Sequence, residues 1–475
     1  MAEGGINAAL NTKGEEDSPE QHYTDTLTAA CGLADPNAVW GMTQAASELV
    51  RSLHHLGVQF NVTDDDELDL RNFGGQKKKR TAFAQSDTGK QLMTALIDAV
   101  RREESAGTVE RFPHHKLRTL LLSGNICGGC TVQDTYTGEL LRFVCDAVLI
   151  ATGGLHGLFG DTTGSLANTG EVTAELFRLG VPMANLEMIQ YHPTTVELGE
   201  KRMLLSEAAR GEGGRLFALR NGKPWYFMEE KYPELGNLMP RDITAREVWT
   251  VSRDYEVFLD MTELPKEVME HKLAGLVDDC QTYLHKDIRK EPIPILPGIH
   301  YFMGGIQVDE RHRTSMRNLY AAGECCAQYH GANRLGGNSL LGAIYGGQIA
   351  AETACRETVS SPNMPCAEES LLPELSPDAQ MQMNRILLNA LGVVRDAQTL
   401  EAGIQEIRKL SGTLPLLGCA MLESALARKE SRGAHWRADY PQRNDAVYCK
   451  TTVAHWNGQH IAISFESIPE RRHDL

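Results

Sequence analysis

The sequence predicts an α/β fold with several domains, and three observations support that prediction. Apolar residues recur at helical spacing from Asn37 to Gly57, where a glycine ends the pattern. Strand-like runs alternate with such helices, and Ala147-Val-Leu-Ile-Ala-Thr-Gly-Gly leads directly into glycines, as buried strands do where they meet a ligand. The length of 475 residues corresponds to about three domains of about 150 residues each. Together these features predict a layered α/β core.

The elements that follow continue the same alternation. A second helix is predicted from Thr88 to about Glu104, where the helical pattern fades. Three strands are then expected, because β-branched and apolar residues cluster between turn signals. They are Lys116–Ser123, Ile126–Asp134 and Leu141–Ala151.

From about residue 187 the pattern changes. Scattered charges, glycines and prolines separate short helices up to about residue 299, and helices predominate after about residue 353. The tail from Trp436 is predicted to be irregular, with Ser431–His435 anchoring it to the core. The helices expected in these regions are Thr244–Arg253, Lys266–Leu284, Asp378–Ala390, Asp396–Ser411 and Met421–Lys429.

Composition and charge exclude several classes of function. The chain carries 47 Lys and Arg against 63 Asp and Glu, a net charge of −16, which disfavours binding to nucleic acid or anionic lipid by bulk charge. No apolar run approaches the length of about 18 residues that a membrane-spanning helix needs. The first residues have neither the basic nor the apolar region of a signal peptide. We therefore expect a soluble, cytoplasmic protein.

The cysteines are predicted to be structural. Eleven is an odd number, and without an export signal they are expected to be reduced thiols. Cys127 and Cys130 have CxxC spacing but lie on a predicted strand, whereas a redox pair favours a helix N-terminus. A second CxxC that could complete a zinc site is absent from the sequence, so no metal is predicted.

Three segments are rich in groups that hold anions. Glycines next to a histidine or arginine let the backbone approach a ligand. Arginine matches a carboxylate with two parallel hydrogen bonds, and histidine adds a donor of tunable charge. The segments are Gln190-Tyr-His-Pro-Thr-Thr with Met203–Gly214, Met239–Arg246, and Pro297–Gly305 with Tyr329–Leu341.

Nine short motifs follow one another along the chain. They are Ala2-Glu-Gly-Gly-Ile-Asn-Ala-Ala, Arg71-Asn-Phe-Gly-Gly, Ala151-Thr-Gly-Gly, Tyr191-His-Pro-Thr, Arg210-Gly-Glu-Gly-Gly, Pro240-Arg-Asp, His300-Tyr-Phe-Met-Gly-Gly, His330-Gly-Ala-Asn-Arg-Leu-Gly-Gly-Asn-Ser-Leu and Glu430-Ser-Arg-Gly-Ala-His. Each motif alone is weak, but nine in this order are specific. In this order they resemble the flavoprotein subunit of fumarate reductase and succinate dehydrogenase over nearly the whole chain. L-aspartate oxidase is a close relative with much of the same pattern.

The resemblance implies a Rossmann-like FAD-binding domain interrupted by an α+β capping domain and followed by a helical domain. The family opens with a strand, a GxGxxG turn and a helix that hold the dinucleotide, and this sequence has no such fingerprint. We therefore expect an N-terminally incomplete flavin domain that is less stable and binds FAD more weakly than its family. The implied divisions are 1–186 with 300–352 for the FAD-binding domain, 187–299 for the cap, 353–435 for the helical domain and 436–475 for the tail.

The resemblance also implies the residues of the active site. His192, Ser206, His300 and Arg334 correspond to the clamp on the two carboxylates of the substrate, with Ser206 in place of the more usual threonine. Arg241 corresponds to the proton donor and acceptor. Because free guanidinium has a pKa above about 12, such an acid needs neighbouring cations that lower its pKa and a relay that returns its proton. The relay residues are Glu207 and Arg210.

The flavin contacts are carried over from the resemblance in the same way. Two early glycines let the backbone approach the cofactor, an acidic residue binds ribityl hydroxyls, and the start of a helix faces the isoalloxazine ring. One further residue, Glu171, stands where the family often has aspartate. The expected cofactor-binding residues are Ala2, Glu3, Gly4, Gly5, Glu171, Glu324, Ser339 and Leu340.

The function that the resemblance implies is the FAD-dependent interconversion of fumarate and succinate, as the catalytic subunit of a larger complex. An iron–sulfur subunit would carry the electrons, since the sequence has no cluster-binding cysteine pattern. A membrane-anchored, quinone-reactive subunit would give the chain a peripheral place on the inner face of the cell membrane. The alternatives are L-aspartate oxidase and an inactive, truncated product. Gly336-Gly337 before Asn-Ser favours the dicarboxylate enzymes over the oxidase, which looks to carry Ala-Ser there.

Overall fold

Short strands and helices alternate along the chain, as predicted. The computed structural model describes residues 4–85, 87–199, 201–357 and 374–472. The strands are β1 (Ile6–Asn7), β2 (Leu70–Arg71), β3 (Thr81–Ala82), β4 (His115–Ser123), β5 (Ile126–Asp134), β6 (Leu140–Val144), β7 (Val148–Ile150), β8 (Met183–Ala184), β9 (Ile189–Leu198), β10 (Lys201–Leu204), β11 (Arg215–Arg220), β12 (Lys223–Trp225), β13 (Val257–Asp260), β14 (Ile293–Pro294), β15 (Leu296–Phe302), β16 (Gly305–Gln307), β17 (Leu319–Ala321), β18 (Cys326–Ala327), β19 (Lys450–Trp456) and β20 (Ile461–Ser467).

The α-helices include both long amphipathic elements and single turns. They are α1 (Pro19–Ala29), α2 (Pro36–Leu56), α3 (Thr88–Ala106), α4 (Glu171–Arg178), α5 (Glu207–Gly211), α6 (Phe227–Lys231), α7 (Arg241–Ser252), α8 (Ala274–Asp279), α9 (Asn338–Glu357), α10 (Pro377–Ala390), α11 (Ala397–Ile407), α12 (Thr413–Ala427) and α13 (Asp445–Tyr448). Short 3₁₀ and π-helical turns connect them at His156–Leu158, Gly236–Leu238, Val268–Lys272, Cys280–Leu284 and Gly323–Cys325.

The strands form several small sheets rather than one large one. Strands β7 and β17 pair in parallel. The Ala-Thr-Gly-Gly and Ala-Ala-Gly-Glu segments, which begin where these strands end, therefore lie at the same edge of the sheet. Strands β10, β9 and β15 form an antiparallel sheet, and β12, β11, β13 and β14 form a second one. The order β18-β16-β8-β19-β20 joins the middle of the chain to its tail. The remaining sheets are β1-β3-β2 and β4-β5-β6.

Helix α2 illustrates why the sequence predicts its helices well. The Asp35 carboxylate accepts the backbone N–H groups of Asn37 and Ala38, at 2.8 and 3.3 Å, and so caps the first turn. Gly57 ends the helix in the left-handed region, with φ of 115°. The predicted second helix is confirmed as α3, which continues to Ala106.

The prediction of a single strand over Leu141–Ala151 is wrong. The chain forms β6, which pairs antiparallel with β5, and then β7, which pairs in parallel with β17. Between them Cys145 donates its backbone N–H to Gly128 O, and Val148 donates to Asn318 O. The chain therefore leaves one sheet and enters another within four residues, a change that a continuous apolar run does not reveal.

Three further predictions need correction. The segment Lys266–Leu284 is not one helix, because two π-helical turns flank the short helix α8. Helix α12 begins at Thr413, well before the expected start at Met421. The tail is not irregular: β19 and β20 form a hairpin that extends the sheet of β8. The remaining predicted helices are present, and Asp396 caps α11 at Thr399 N.

The CxxC pair lies on a strand, as predicted. Cys127 and Cys130 lie on β5, and both are free thiols. Burial raises the pKa of the Cys130 thiol to about 11, so it is not a thiolate at neutral pH. Among the described residues, no group of three or more His, Cys, Asp or Glu is arranged to hold a metal ion.

Buried apolar residues form separate clusters, and the candidate site lies where these meet. One cluster joins β7, β17 and α4 to the helices α10–α12. A second is made almost entirely of residues 203–295, with Phe73 as its contact to the rest of the chain. A third surrounds α2 and β1 and packs against Leu340. Within the described ranges, no helix has the length and apolarity needed to cross a membrane.

Candidate active site

A cavity of about 320 Å³ brings most of the predicted site residues together. It is lined from the segment 192–241 on one side and from the early glycines and the start of α9 on the other. The predicted residues that line it are Gly4, Gly5, His192, Ser206, Glu207, Arg241, His300, Glu324, Arg334, Ser339 and Leu340. Arg210 lies directly behind Glu207 and is also buried.

Regular elements fix the positions of these side chains. His192 on β9 and His300 on β15 lie on neighbouring antiparallel strands, and their ring centroids are 5.1 Å apart. Ser206 is the N-cap of α5, which places Glu207 and Arg210 one helical turn apart. Arg241 is the first residue of α7, immediately after Pro240. Two strands and two helix starts therefore converge on one cavity.

Arg241, Glu207 and Arg210 form one continuous buried network. Arg241 donates from Nε and Nη2 to Oε2 of Glu207, at 2.9 and 2.5 Å. Arg210 donates from Nη2 to Oε1 of the same carboxylate at 2.9 Å, and its Nη1 bonds to Asn237 O at 2.7 Å. Each carboxylate oxygen thus serves a different arginine, so Glu207 connects Arg241 at the cavity to Arg210 behind it.

Charge balance sets the protonation state of this network. Burial opposes ionisation of Glu207, but the charges of Arg241 and Arg210 outweigh it and lower its pKa to about 2. Burial lowers the pKa of Arg210, and the nearby charge of Arg241 adds to that effect against the opposing charge of Glu207. Glu207 is therefore an anion shared by two buried cations.

Arg334 differs from these two arginines because it faces the cavity without a carboxylate partner among the described residues. Its guanidinium lies over the ring of Tyr301, 4.3 Å from the centroid, and its Nε has no hydrogen-bond partner. Burial, with the charge of Arg241, lowers the pKa of Arg334 to about 9. A buried cation without a counter-ion is costly, which makes this end of the cavity suited to an anion.

The two histidines are neutral donors or acceptors beside that cation. Burial lowers the pKa of His192 well below its usual value, and the charge of Arg241 adds to the effect. The pKa of His300 is lowered by burial and by the neighbouring His192, Arg241 and Arg334. Nδ1 of His300 lies 2.8 Å from Thr163 Oγ1, whereas Nε2 of His192 is buried with no partner. An unpartnered ring nitrogen in a lined cavity indicates a place for a polar ligand.

Comparison with known proteins identifies the family. Residues 1–340 match the family described as an FAD binding domain, and residues 411–472 match the fumarate reductase flavoprotein C-terminal family. The succinate dehydrogenase flavoprotein subunit of Bacillus subtilis is 38% identical over 520 residues, covering 98% of this chain and 89% of that protein. The chain belongs to the family of fumarate reductase and succinate dehydrogenase flavoproteins.

Other relatives agree with this assignment. L-aspartate oxidase of Streptomyces coelicolor is 31% identical over 517 residues, covering 99% of this chain and 87% of that protein. A solved quinol fumarate reductase of E. coli superposes with a TM-score of 0.87 at 26% identity, over 98% of this chain and 89% of its own. The flavoprotein is accordingly an oxidoreductase with FAD as its cofactor, and the predicted α/β FAD-binding fold is confirmed.

Several residues that line the cavity fit FAD. The first-turn N–H groups of a helix have no partner within the helix, and Ser339 and Leu340 bring this turn of α9 to the cavity. The Glu324 carboxylate accepts the backbone N–H of Phe302 at 3.0 Å and lines the cavity as an acceptor for hydroxyl groups. Gly5 has a φ of +136°, a conformation that side chains rarely adopt.

One of the predicted cofactor residues, Glu171, does not line this cavity. Glu171 lies at the start of α4, and its carboxylate accepts from Lys116 Nζ at 2.8 Å on another face of the flavoprotein. An aspartate would be shorter by one methylene, whereas this glutamate reaches the lysine. Ala2 and Glu3 lie outside the described residues.

Gln190 is a site residue that the sequence prediction missed. Its Oε1 accepts from Arg241 Nη1 at 3.1 Å, and its Nε2 donates to Asn333 Oδ1 and Arg334 O, both at 2.9 Å. It thereby fixes Arg241 relative to the loop of Arg334. The strand pattern could have indicated this residue, because residues two apart on a strand share a face. Gln190 lies two residues before His192, which was predicted as a site residue.

Proposed function

We propose that this flavoprotein interconverts fumarate and succinate, with Arg241 as the group that gives a proton to the substrate or takes it back. The observation that carries the proposal is the buried hydrogen-bonded chain from Arg241 through Glu207 to Arg210. Arg241 lines the same cavity as Arg334, which has no carboxylate partner among the described residues. When bound, the flavin in its reduced form would supply the hydride for one alkene carbon, and in its oxidised form it would receive a hydride from succinate. The proton at the other carbon is the task of the protein.

His192, Ser206, His300 and Arg334 are proposed to hold the two carboxylates of the substrate. Arg334 supplies the fixed positive charge, and the neutral rings and the hydroxyl supply hydrogen bonds. A dianion gains most where a cation lacks a counter-ion, as Arg334 does among the described residues. The clamp orients the alkene and stabilises the negative charge that moves towards a carboxylate in the transition state.

The relay restores the proton that Arg241 gives up. A guanidinium that loses its proton beside the Glu207 anion can be reprotonated through that carboxylate, because Glu207 also holds Arg210 at 2.9 Å. The lowered pKa of Arg210 makes its proton easier to release than that of an exposed arginine. Gln190 keeps the guanidinium of Arg241 in the orientation that this exchange needs.

FAD is proposed to be held by Gly4, Gly5, Glu324, Ser339 and Leu340, with Ala2 and Glu3 continuing the first segment. We propose domain limits of 187–299 for the cap and 353–435 for the helical domain, and the separate apolar cluster of residues 203–295 supports the first of these. Two of the named relatives are a succinate dehydrogenase flavoprotein subunit and a quinol fumarate reductase. An iron–sulfur subunit is proposed to carry electrons to this chain, and a membrane-anchored subunit to hold it at the membrane surface.

L-aspartate oxidation is the second candidate, because the oxidase relative covers as much of the chain as the dehydrogenases do. Its substrate carries an ammonium group, which needs an acceptor in the cavity. Of the two carboxylates that line the cavity, Glu207 already accepts from two arginines and Glu324 is assigned to the flavin, while Arg334 and Arg241 would repel a cation. The cavity therefore favours fumarate and succinate.

Turnover assays separate these possibilities. The purified 475-residue chain is loaded with FAD, freed of excess cofactor and assayed for fumarate reduction with a reduced dye and for aspartate oxidation. The proposal predicts retained flavin and fumarate turnover that falls at least about a hundredfold in Arg241→Lys, since a point charge cannot replace the paired guanidinium contacts. Flavin retention with aspartate turnover only would favour the oxidase, and a colourless protein would indicate an inactive product.

A further inference from the structure

Two glycines lie against the carboxylate of Glu207, one on each oxygen. A Cβ added at Gly336 would be 2.9 Å from Oε2, the oxygen that accepts from Arg241. A Cβ added at Gly74 would be 2.8 Å from Oε1, the oxygen that accepts from Arg210. These separations are shorter than real Cβ contacts, so a methyl group at either position would displace the carboxylate or the loop.

The loop of Gly336 cannot easily yield. Its carbonyl oxygen accepts from Asn7 Nδ2 at 2.7 Å and from Gln76 Nε2 at 2.8 Å, and both side chains are buried. The added Cβ would also lie 3.0 Å from Phe73 Cβ, which closes the other side. The flexible group at this contact is therefore the Glu207 carboxylate itself.

Gly74 is confined in a similar way. An added Cβ would lie 3.2 Å from Met239 O and 3.4 Å from Leu238 O, which are backbone atoms just before Arg241. Neither Gly74 nor Gly336 has a positive φ in the left-handed range, so their backbone conformations do not require glycine. The requirement comes from the space that Glu207 occupies.

We propose that Gly74 and Gly336 are positioning residues of the proton relay, which leave room for Glu207 to bind both arginines at once. This inference rests on the proposed function of Arg241 and Glu207. A methyl group at residue 336 acts on the Arg241 side of the carboxylate, and one at residue 74 acts on the Arg210 side. Each glycine thus protects a different half of the relay.

The kinetic test uses Gly74→Ala and Gly336→Ala in the FAD-loaded full chain, with Gly347→Ala as the matched control. A Cβ at Gly347 would meet no atom within 4 Å, and this glycine lies on the same helix that follows Gly336. We expect kcat for fumarate reduction to fall about tenfold to a hundredfold, the cost of one hydrogen bond to a charged group. KM should stay within about twofold of the wild-type value, because neither substitution removes a group that is proposed to bind the substrate.

The solvent deuterium isotope effect distinguishes a relay defect from general damage. It should increase in both glycine variants, because proton transfer then limits the rate more strongly, and it should equal the wild-type value in Gly347→Ala. Unchanged kcat in both variants would overturn the inference. So would a lower kcat with an unchanged isotope effect.

A second test needs no turnover, and so separates this inference from the proposed function. Melting temperatures are measured for each glycine variant in the wild-type chain and in Glu207→Ala, which removes both oxygens. We expect the added methyl group to lower the melting temperature by a few degrees more when Glu207 is present than in Glu207→Ala. Equal losses in both backgrounds would overturn the inference. Absent fumarate turnover in the wild type would overturn the proposed function and the relay with it, while the melting temperatures would still show whether the two glycines make room for Glu207.

Discussion

Arg241 donates two hydrogen bonds to a single oxygen of Glu207, at 2.9 and 2.5 Å, although Arg241 also lines the candidate cavity. The usual geometry of such pairs divides two donors between two carboxylate oxygens. Here the second oxygen is left for Arg210, so one carboxylate joins two cations. The proposed proton path depends on this division.

The first prediction concerns acid stability. The pKa of Glu207 is lowered from 4.5 to about 2 in the folded chain, so between these values the unfolded state binds more protons. The stability that Glu207 contributes is fully present above pH 4.5 and is lost as the pH falls towards about 2. Urea unfolding at several pH values should show a smaller loss across this window in Glu207→Gln than in the wild type.

Glu207→Gln should also unfold more easily at neutral pH, by about 3–5 kcal/mol, because it leaves two buried arginines without their anion. The matched control is Glu267→Gln, which changes an exposed glutamate. Identical pH dependence in Glu207→Gln and the wild type would contradict the assigned charge state.

The second prediction concerns Arg334 as the anchor of a dicarboxylate. Malonate, which lacks a second methylene to be dehydrogenated, should raise the melting temperature of the FAD-loaded chain, and propionate should raise it much less. At a hundredfold excess over Kd the expected stabilisation is about 2.7 kcal/mol. Arg334→Gln should lose this response while Arg253→Gln, an exposed arginine on the chain just after α7, retains it. An equal rise in melting temperature with malonate and propionate would contradict the assignment of Arg334 to the carboxylate clamp.

The third prediction concerns proton uptake on binding. Both His192 and His300 have pKa values well below 6.5 in the ligand-free chain and are neutral at pH 7. A bound dianion favours the protonated rings and raises these pKa values, so binding takes up protons. Malonate affinity should therefore rise as the pH falls through the pKa of the complex. Calorimetry in buffers of different ionisation enthalpy measures the uptake, and affinity that is independent of pH would contradict it.

The fourth prediction concerns Gln190. Gln190→Leu keeps the volume near that of glutamine but removes the acceptor for Arg241 and the donor to the Arg334 loop. We expect kcat to fall about tenfold, as for one lost hydrogen bond to a charged group. Gln59→Leu, at an exposed position, should leave kcat unchanged. An unchanged kcat in Gln190→Leu would show that other contacts suffice to orient Arg241.

The sequence predicts residue types and their order much better than their mutual geometry. The motifs around His192, Arg241 and Arg334 are short enough to be recognised in the chain, and all three residues line one cavity. Gln190 was missed because a single glutamine carries no charge that marks it. The glycines next to Glu207 belong to two of the recognised motifs, but their contact with Glu207 was not predicted, since that carboxylate is more than 120 residues away from either one.

Predictions failed where a tertiary partner decides the outcome. The apolar run before Ala151 is divided between β6 and β7 because two different sheets receive it. The tail becomes a hairpin because β8 offers an edge at Met183–Ala184. Arg428 then holds the hairpin through Glu187 at 2.7 Å, a buried pair that no local pattern indicates.

The most direct measurement compares fumarate reduction by the FAD-loaded wild type, Arg241→Lys and Arg253→Lys, with bound flavin quantified in each. We predict that all three retain flavin, that Arg253→Lys matches the wild type, and that Arg241→Lys loses at least about a hundredfold in kcat with a smaller change in KM. Full fumarate turnover by Arg241→Lys would contradict the role of Arg241 as the proton donor and acceptor.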